Sequence, residues 1–178
     1  MEKEEHAIVL EYLPNGYPLE RKMMPIAQAI GEVNLTLLEL VPRRGVSLSI
    51  GERVYIGDGK RDKIYYILGR LDREKITEQA KSQLQEFISK VVKERESKFV
   101  EFFNKADAVN KRIHQIEFLP GFGKKHMQEI LKHRKEKLFE NFSDMKVRIA
   151  NLPDPEKAIE KRIIQELTGF ERFKLFVN

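Results

Sequence analysis

The sequence has no cysteine, which excludes disulfides, thiolate metal sites and a cysteine nucleophile. Tryptophan is absent too, and the aromatic residues, 9% of the chain, are mostly Phe. No apolar run approaches the roughly 20 residues that a membrane-spanning helix needs. The acidic start MEKEEH is unlike a secretory or transit peptide, so a cytoplasmic protein that makes no use of a membrane is expected. Glycine is sparse, 10 in 178 residues, yet two glycines and a proline fall together in FLPGFGKKHMQEIL, Phe118 to Leu131. A Gly inside a helix costs about 1 kcal/mol relative to Ala and a Pro about 3. The apolar spacing of this stretch is helical, but the breakers make it a turn between two helices.

What is present is a foldable and strongly charged chain, with 41% hydrophobic and 34% charged residues. Its length suits one ordinary domain or two small ones. The net charge of +5 is local: Lys105 to Lys137 holds nine basic residues against four acidic, and the remainder balances (33 − 9 against 28 − 4, 24 of each). The whole excess surrounds the Pro-Gly turn, together with His114, His126 and His133. A basic patch of this kind is either a solvated helix face or a footprint for an anionic partner.

The first 70 residues read as strands. Ala7 to Leu10 is apolar and ends at Pro14-Asn15-Gly16; Val33, Leu35 and Leu37 alternate with polar residues, and the phase flips at Leu37-Leu38, which points to a bulge. Val46, Leu48 and Ile50 alternate with serines, and Val54–Ile56 and Ile64–Leu68 flank Gly57-Asp58-Gly59-Lys60, a tight-hairpin signal. So many short strands suggest a small barrel. From Thr77, a plausible N-cap, apolar residues recur at helical spacing from Ala80 to Phe103, predicting one long helix that ends near Asn104. Asp107 then caps a helix with Val109, Ile113 and Ile116 on one face, and Ser143 a short one with Met145 and Ile149. Asp154-Pro155 starts a last helix to Thr168, and Phe173, Leu175 and Val177 fit a closing strand. Aligned on Leu-Pro, FLPGFGKKHMQEIL and NLPDPEKAIEKRII read as two copies of one unit, the second without glycines.

Leu119-Pro120-Gly121-Phe122-Gly123-Lys124-Lys125 resembles the helix-hairpin-helix motif of DNA and RNA proteins, and the two copies resemble its paired form. Nearly the whole chain is similar to an archaeal family, of unknown biochemical function, that joins an OB-like β domain to such repeats. The resemblance implies an α+β fold: a small OB-like β-barrel over 1–72, a long connecting helix over 73–105, and a tandem helix-hairpin-helix domain over 106–178 with a degenerate second hairpin. It also implies nucleic-acid binding, to RNA or DNA, with an optional monovalent cation on the turn carbonyls; no cofactor is expected. Met127 stands where the motif usually has Ala, which would splay the helices.

The chemistry suits those residue types. Gly121 and Gly123 let a phosphodiester approach the backbone, Pro120 stiffens the entry, and the following helix begins with unpaired N–H groups and partial positive charge. Lys124, Lys125 and His126 surround that point, so Leu119 through His126 is the expected phosphate site, positioning the chain without reading bases. At the second turn Asp154 would repel an anion and satisfy the amides itself. On the β domain Tyr55, Tyr65 and Tyr66, with Arg53, Lys60, Arg61 and Lys63 around them, could form a stacking platform with a basic rim; Arg43-Arg44 and Arg21-Lys22 are further basic pairs. Against enzyme readings, Gly57-Asp58-Gly59-Lys60 lacks P-loop spacing and no carboxylate-histidine zinc motif accompanies the histidines. The catalytic alternative comes from a resemblance to base-excision glycosylases, which combine a similar hairpin with a Lys in its second helix and a downstream Asp; Lys125 and Asp144 would stand for that pair in a lyase or glycosylase. The remaining alternative is a protein-interaction scaffold, which salt dependence would distinguish.

Overall fold

The structure, a computed structural model, describes residues 2–178. It divides into two compact units, one comprising the chain up to Glu86 together with Leu167–Asn178, the other Phe87–Glu166.

The first unit is built on five strands: β1 (His6–Leu13), β2 (Ile26–Gly31), β3 (Leu37–Pro42), β4 (Arg53–Tyr55) and β5 (Ile64–Arg70). All pairings are antiparallel, in the order β4-β1-β2-β3-β5. Register shifts at Val9/Glu11 in β1, and at Glu39/Leu40 and Val41/Pro42 where β3 meets β5, bend the sheet. It curls into a half-barrel around Ala7, Val9, Ala27, Ala29, Leu40 and Ile64. Small alanines on the inner face leave room for that curvature. The outer face of β2 is covered as well: the buried Gln28 donates to the Lys75 carbonyl (2.7 Å) and to Tyr17 Oη (3.1 Å), and accepts from Thr77 N–H (3.1 Å). Tyr17 in turn donates to Glu39 Oε2 (2.7 Å), and burial pushes its hydroxyl well above the usual phenol range.

Several strand expectations are corrected. β2 was not legible, because both of its faces are buried and Ile26-Ala27-Gln28-Ala29-Ile30 therefore lacks a two-residue period. Val33 to Leu35 is a turn instead of a strand: the Glu4 carboxylate accepts from Val33 N–H (2.8 Å) and Asn34 N–H (2.6 Å), and Leu35 has φ +56°. Residues 46–50 form no strand. The Asp58-Gly59 hairpin is absent, since β4 and β5 are opposite edges of the sheet, which leaves the barrel open. Local bonds absorb that turn: Gly59 N–H donates to Tyr55 Oη (3.0 Å) and Lys3 to Asp58 (2.7 Å).

Thr77 does cap helix α1 (Glu78–Glu94), accepting from Ala80 N–H at 3.1 Å. The helix does not run on to Asn104. It breaks at Arg95 (φ −109°, ψ 32°), and α2 (Glu96–Lys105) follows. The boundary between the two units falls within α1.

The second unit holds α2, α3 (Lys124–Glu136), α4 (Phe142–Arg148) and most of α5 (Pro155–Thr168) around Phe103, Ile116, Leu119, Ile130, Met145 and Ile159, all buried. The helix expected after Asp107 does not form. Asn110 Oδ1 accepts from Arg112 and Ile113 N–H (2.7 and 3.0 Å), Asp107 Oδ1 accepts from Ala108 N–H (2.8 Å), and the loop closes through an Ala108–His114 bridge. Short polar side chains here outcompete the helix for the backbone. Only a 3-10 turn, Gln115–Phe118, precedes the Leu-Pro-Gly stretch. The α4 cap is Asn141, accepting from Asp144 N–H (2.7 Å), instead of Ser143. Asp154 caps α5 as expected, with Oδ1 accepting from Glu156 and Lys157 N–H (3.0 and 3.3 Å). Residues 173–177 are bends and irregular chain, so the closing strand is not formed.

Candidate nucleic-acid interface

Two buried apolar side chains shape the turn. Leu119 is 1% exposed and Phe122 5%; the Phe122 ring lies 5.9 Å from Phe103 and meets His126 edge-on at 5.8 Å. Phe122 N–H donates to the Leu119 carbonyl (3.0 Å), with Pro120 and Gly121 between them and Gly121 at φ +83°. Pro second and a positive-φ glycine third make a type II turn. Leu119 and Phe122 therefore anchor the turn from below and present no side chain to a ligand.

The chain then enters α3 through Gly123, whose N–H donates to His126 Nδ1 (3.0 Å) and whose carbonyl accepts from Met127 N–H (3.0 Å). That amide is satisfied internally, contrary to an open Gly123. The next three, on Lys124, Lys125 and His126, have no acceptor among the described residues. Gly123 has no side chain to cap them, and a Cβ placed there would meet nothing within 4 Å. Gly121 and Gly123 are exposed.

The cations divide. Lys124 Nζ donates to the Arg112 carbonyl (2.9 Å) and pairs with Glu117 (3.3 Å), so it closes the preceding loop. Lys125 is exposed and has no partner among the described residues. The second turn lies beside the first: a Cβ on Gly121 would sit 3.8 Å from Pro153 Cβ. There, Asp154 fills the start of α5 and Lys146 stands 3.9 Å from its carboxylate.

His114 holds the approach to the turn. Its Nδ1 accepts from Ile116 N–H (3.2 Å), its own N–H donates to Glu117 Oε2 (2.8 Å), and burial, reinforced by the Arg134 guanidinium, pushes its pKa down. Glu117 is held below its ordinary value, first by that His114 N–H and then by Lys124. Both folded-state values lie below the unfolded ones, so both groups favour folding at neutral pH and lose that contribution on acidification. The His114 share disappears as pH falls from about 6.5 and the Glu117 share below about 4.5. Urea midpoints measured from pH 7.5 to 5 should therefore decline, and His114→Asn, which keeps an acceptor without titrating, should flatten the decline. An unchanged slope in that variant would refute the assignment.

The platform expected on the β unit is not assembled. Tyr55 lies on edge strand β4 against His6 (5.4 Å), whereas Tyr65 and Tyr66 lie on the other edge, edge-to-face at 5.3 Å. Arg53 is paired with Glu32 (2.6 Å), Lys63 with Glu52, and Arg61 donates to the Gly57 carbonyl (2.8 Å). Of that rim Lys60 has no partner among the described residues. The catalytic pairing is not assembled either: Asp144 accepts from Glu140 N–H (3.0 Å) and Arg148 (3.3 Å), which keep its pKa low. No group of three metal-ligating His, Asp or Glu occurs among the described residues. None of the helices there is long and apolar enough to cross a membrane.

Fold and site together define an α+β protein with a curled antiparallel half-barrel, a helical unit, and one uncapped glycine turn. The chain belongs to the family described as protein of unknown function (DUF655), whose model matches residues 3–178. It is 41% identical over 174 residues to the uncharacterized protein MJ0038 of Methanocaldococcus jannaschii, covering 98% of this chain and 79% of that one. It is also similar to the crystal structure of Af1531 from Archaeoglobus fulgidus, a DUF655 protein: 42% identity, TM-score 0.84, 98% of this chain and 100% of that one.

Proposed function

We propose that this protein binds the phosphate backbone of a nucleic acid, RNA or DNA, without reading bases, through the 119–126 turn. The observation that carries the reading is the contrast between two adjacent helix starts. At α5 Asp154 satisfies the amides; at α3 the amides of Lys124, Lys125 and His126 are unmet, behind glycines that leave the approach open. A phosphate oxygen accepting from them gains charge-assisted hydrogen bonds of about 1.5–3 kcal/mol each, and Lys125 adds a free cation. Lys124 contributes by holding the loop at Arg112 and Glu117.

Filter-binding titrations of duplex and single-stranded probes at two salt concentrations test this. Gly121→Val, which a φ of +83° disfavours, should weaken binding about ten-fold or more. Lys125→Ala should weaken it less and reduce the salt slope by about one. Asp154→Ala should leave affinity unchanged while costing about 1 kcal/mol of stability as a lost cap. Equal losses in all three variants, or binding indifferent to salt, would overturn the proposal; salt-indifferent capture of a protein instead would favour a scaffold.

A further inference from the structure

The β unit contains a cavity that brings Tyr65, expected in a stacking platform, together with the Arg43-Arg44 pair. It is lined by Tyr12 near the end of β1, Pro42 at the end of β3, Pro25, residues 43–47 and Tyr65, and has a volume of about 480 Å³. Sites for small ligands span roughly 300–1,000 Å³. Its floor is fixed: Tyr12 packs on the inner core of the half-barrel and donates from Oη to the Val46 carbonyl (3.4 Å). Tyr65 also lines it, 65% exposed and braced edge-on by Tyr66 at 5.3 Å. Aromatic and proline walls of this kind accept a flat, apolar-faced group.

The rim is cationic. Arg43 to Val46 is a tight turn, with Val46 N–H donating to the Arg43 carbonyl (3.0 Å) and Gly45 at φ +78°. Arg43 is committed, its Nε donating to the Arg61 carbonyl (2.7 Å). Arg44 is exposed and has neither hydrogen bond nor ion pair among the described residues, and a Cβ at Gly45 would meet nothing within 4 Å. No carboxylate lines the cavity. An aromatic ring, an unpaired guanidinium and an open glycine backbone in one lining, with no acid among them, suit a ligand that is both flat and anionic.

We infer that this cavity binds one unpaired nucleotide, its base against Tyr65 and its phosphate at Arg44. Base stacking on an aromatic ring tolerates any base, and Arg presents a fork that matches phosphate oxygens. The nucleotide is either free in solution or a residue of a single strand. The site shares no residue with the glycine turn, so it stands whether or not that turn binds a backbone.

The test uses the full chain, with backbone amide spectra recorded during titration with AMP, adenosine, inorganic phosphate and a short single-stranded oligoadenylate. AMP should shift Gly45, Val46, Ser47 and Tyr65. Arg44→Ala should weaken AMP about ten-fold and leave adenosine unchanged, and Tyr65→Ala should weaken both about ten-fold. Lys125→Ala should alter neither. Tighter binding of the oligonucleotide than of AMP at the same residues identifies a strand as the source, and equal or weaker binding a free nucleotide. No shift at these residues with millimolar AMP or oligonucleotide would overturn the inference, as would inorganic phosphate binding as well as AMP.

Discussion

Glu166→Ala is expected to destabilise the helical unit by about 3–5 kcal/mol, because it strands a buried guanidinium. Arg162 Nε lies 3.8 Å from Glu166 Oε2, with the two side chains 5% and 0% exposed. The same guanidinium donates to the Phe118 carbonyl (3.3 Å) and sits 5.4 Å from the Phe118 ring. Breaking one side of a buried pair costs more than replacing both, since the surviving charge keeps its desolvation penalty. The double variant Arg162→Met with Glu166→Leu should therefore recover most of the loss. Urea unfolding followed by far-UV circular dichroism measures both. A single-variant loss below about 1 kcal/mol, the range of an exposed pair, would show that water reaches these groups. Because Phe118 leads directly into the Leu-Pro-Gly turn, the single variant should also loosen the nucleic-acid binding proposed for that turn.

Phe103→Ala should cost a similar amount, about 3–5 kcal/mol, through the cavity it leaves. Phe103 is fully buried, edge-to-face with Phe102 at 5.4 Å and tilted against Phe122 at 5.9 Å. Its removal takes away the surface on which Phe122 rests, so the type II turn above it loses its anchor. Phe103→Leu, which refills part of the space, should lose markedly less. Paired stability and binding curves separate the effects. In Phe103→Ala affinity should fall together with stability, whereas in Lys125→Ala affinity should fall and stability should not. A Phe103→Ala protein of full stability would show that neighbouring side chains collapse into the space.

These variants also mark what was legible. The Leu-Pro-Gly turn, the start of α3 at Lys124, the Thr77 cap and the Asp154-Pro155 start of α5 were readable because each depends on bonds between residues at most four apart. The charge excess around the turn was readable by counting, but the partners of its members were not. Lys124 is drawn back to Arg112 and Glu117 while Lys125 is free, and nothing in Lys-Lys distinguishes them. The Gly123 amide was expected to be open and is closed by His126, whose ring three residues on reaches back to it.

The β unit failed differently. Alternation at 33–37 and 46–50 looked like strand but was overruled by the Glu4 carboxylate and by the Arg43–Val46 turn, whereas β2, covered on both faces, showed no alternation at all. The helix expected over 107–116 had good apolar spacing, yet Asp107 and Asn110 offered the backbone nearer acceptors.

The amino-acid sequence by itself determined the caps, the breakers and the location of the positive charge, since all of these act over a few residues of chain. Tertiary structure alone decided the strand order, which cations remain free, the buried Arg162–Glu166 pair, and the cavity beside Tyr65. Those depend on which distant segments meet and exclude water, a property that no short window of sequence contains.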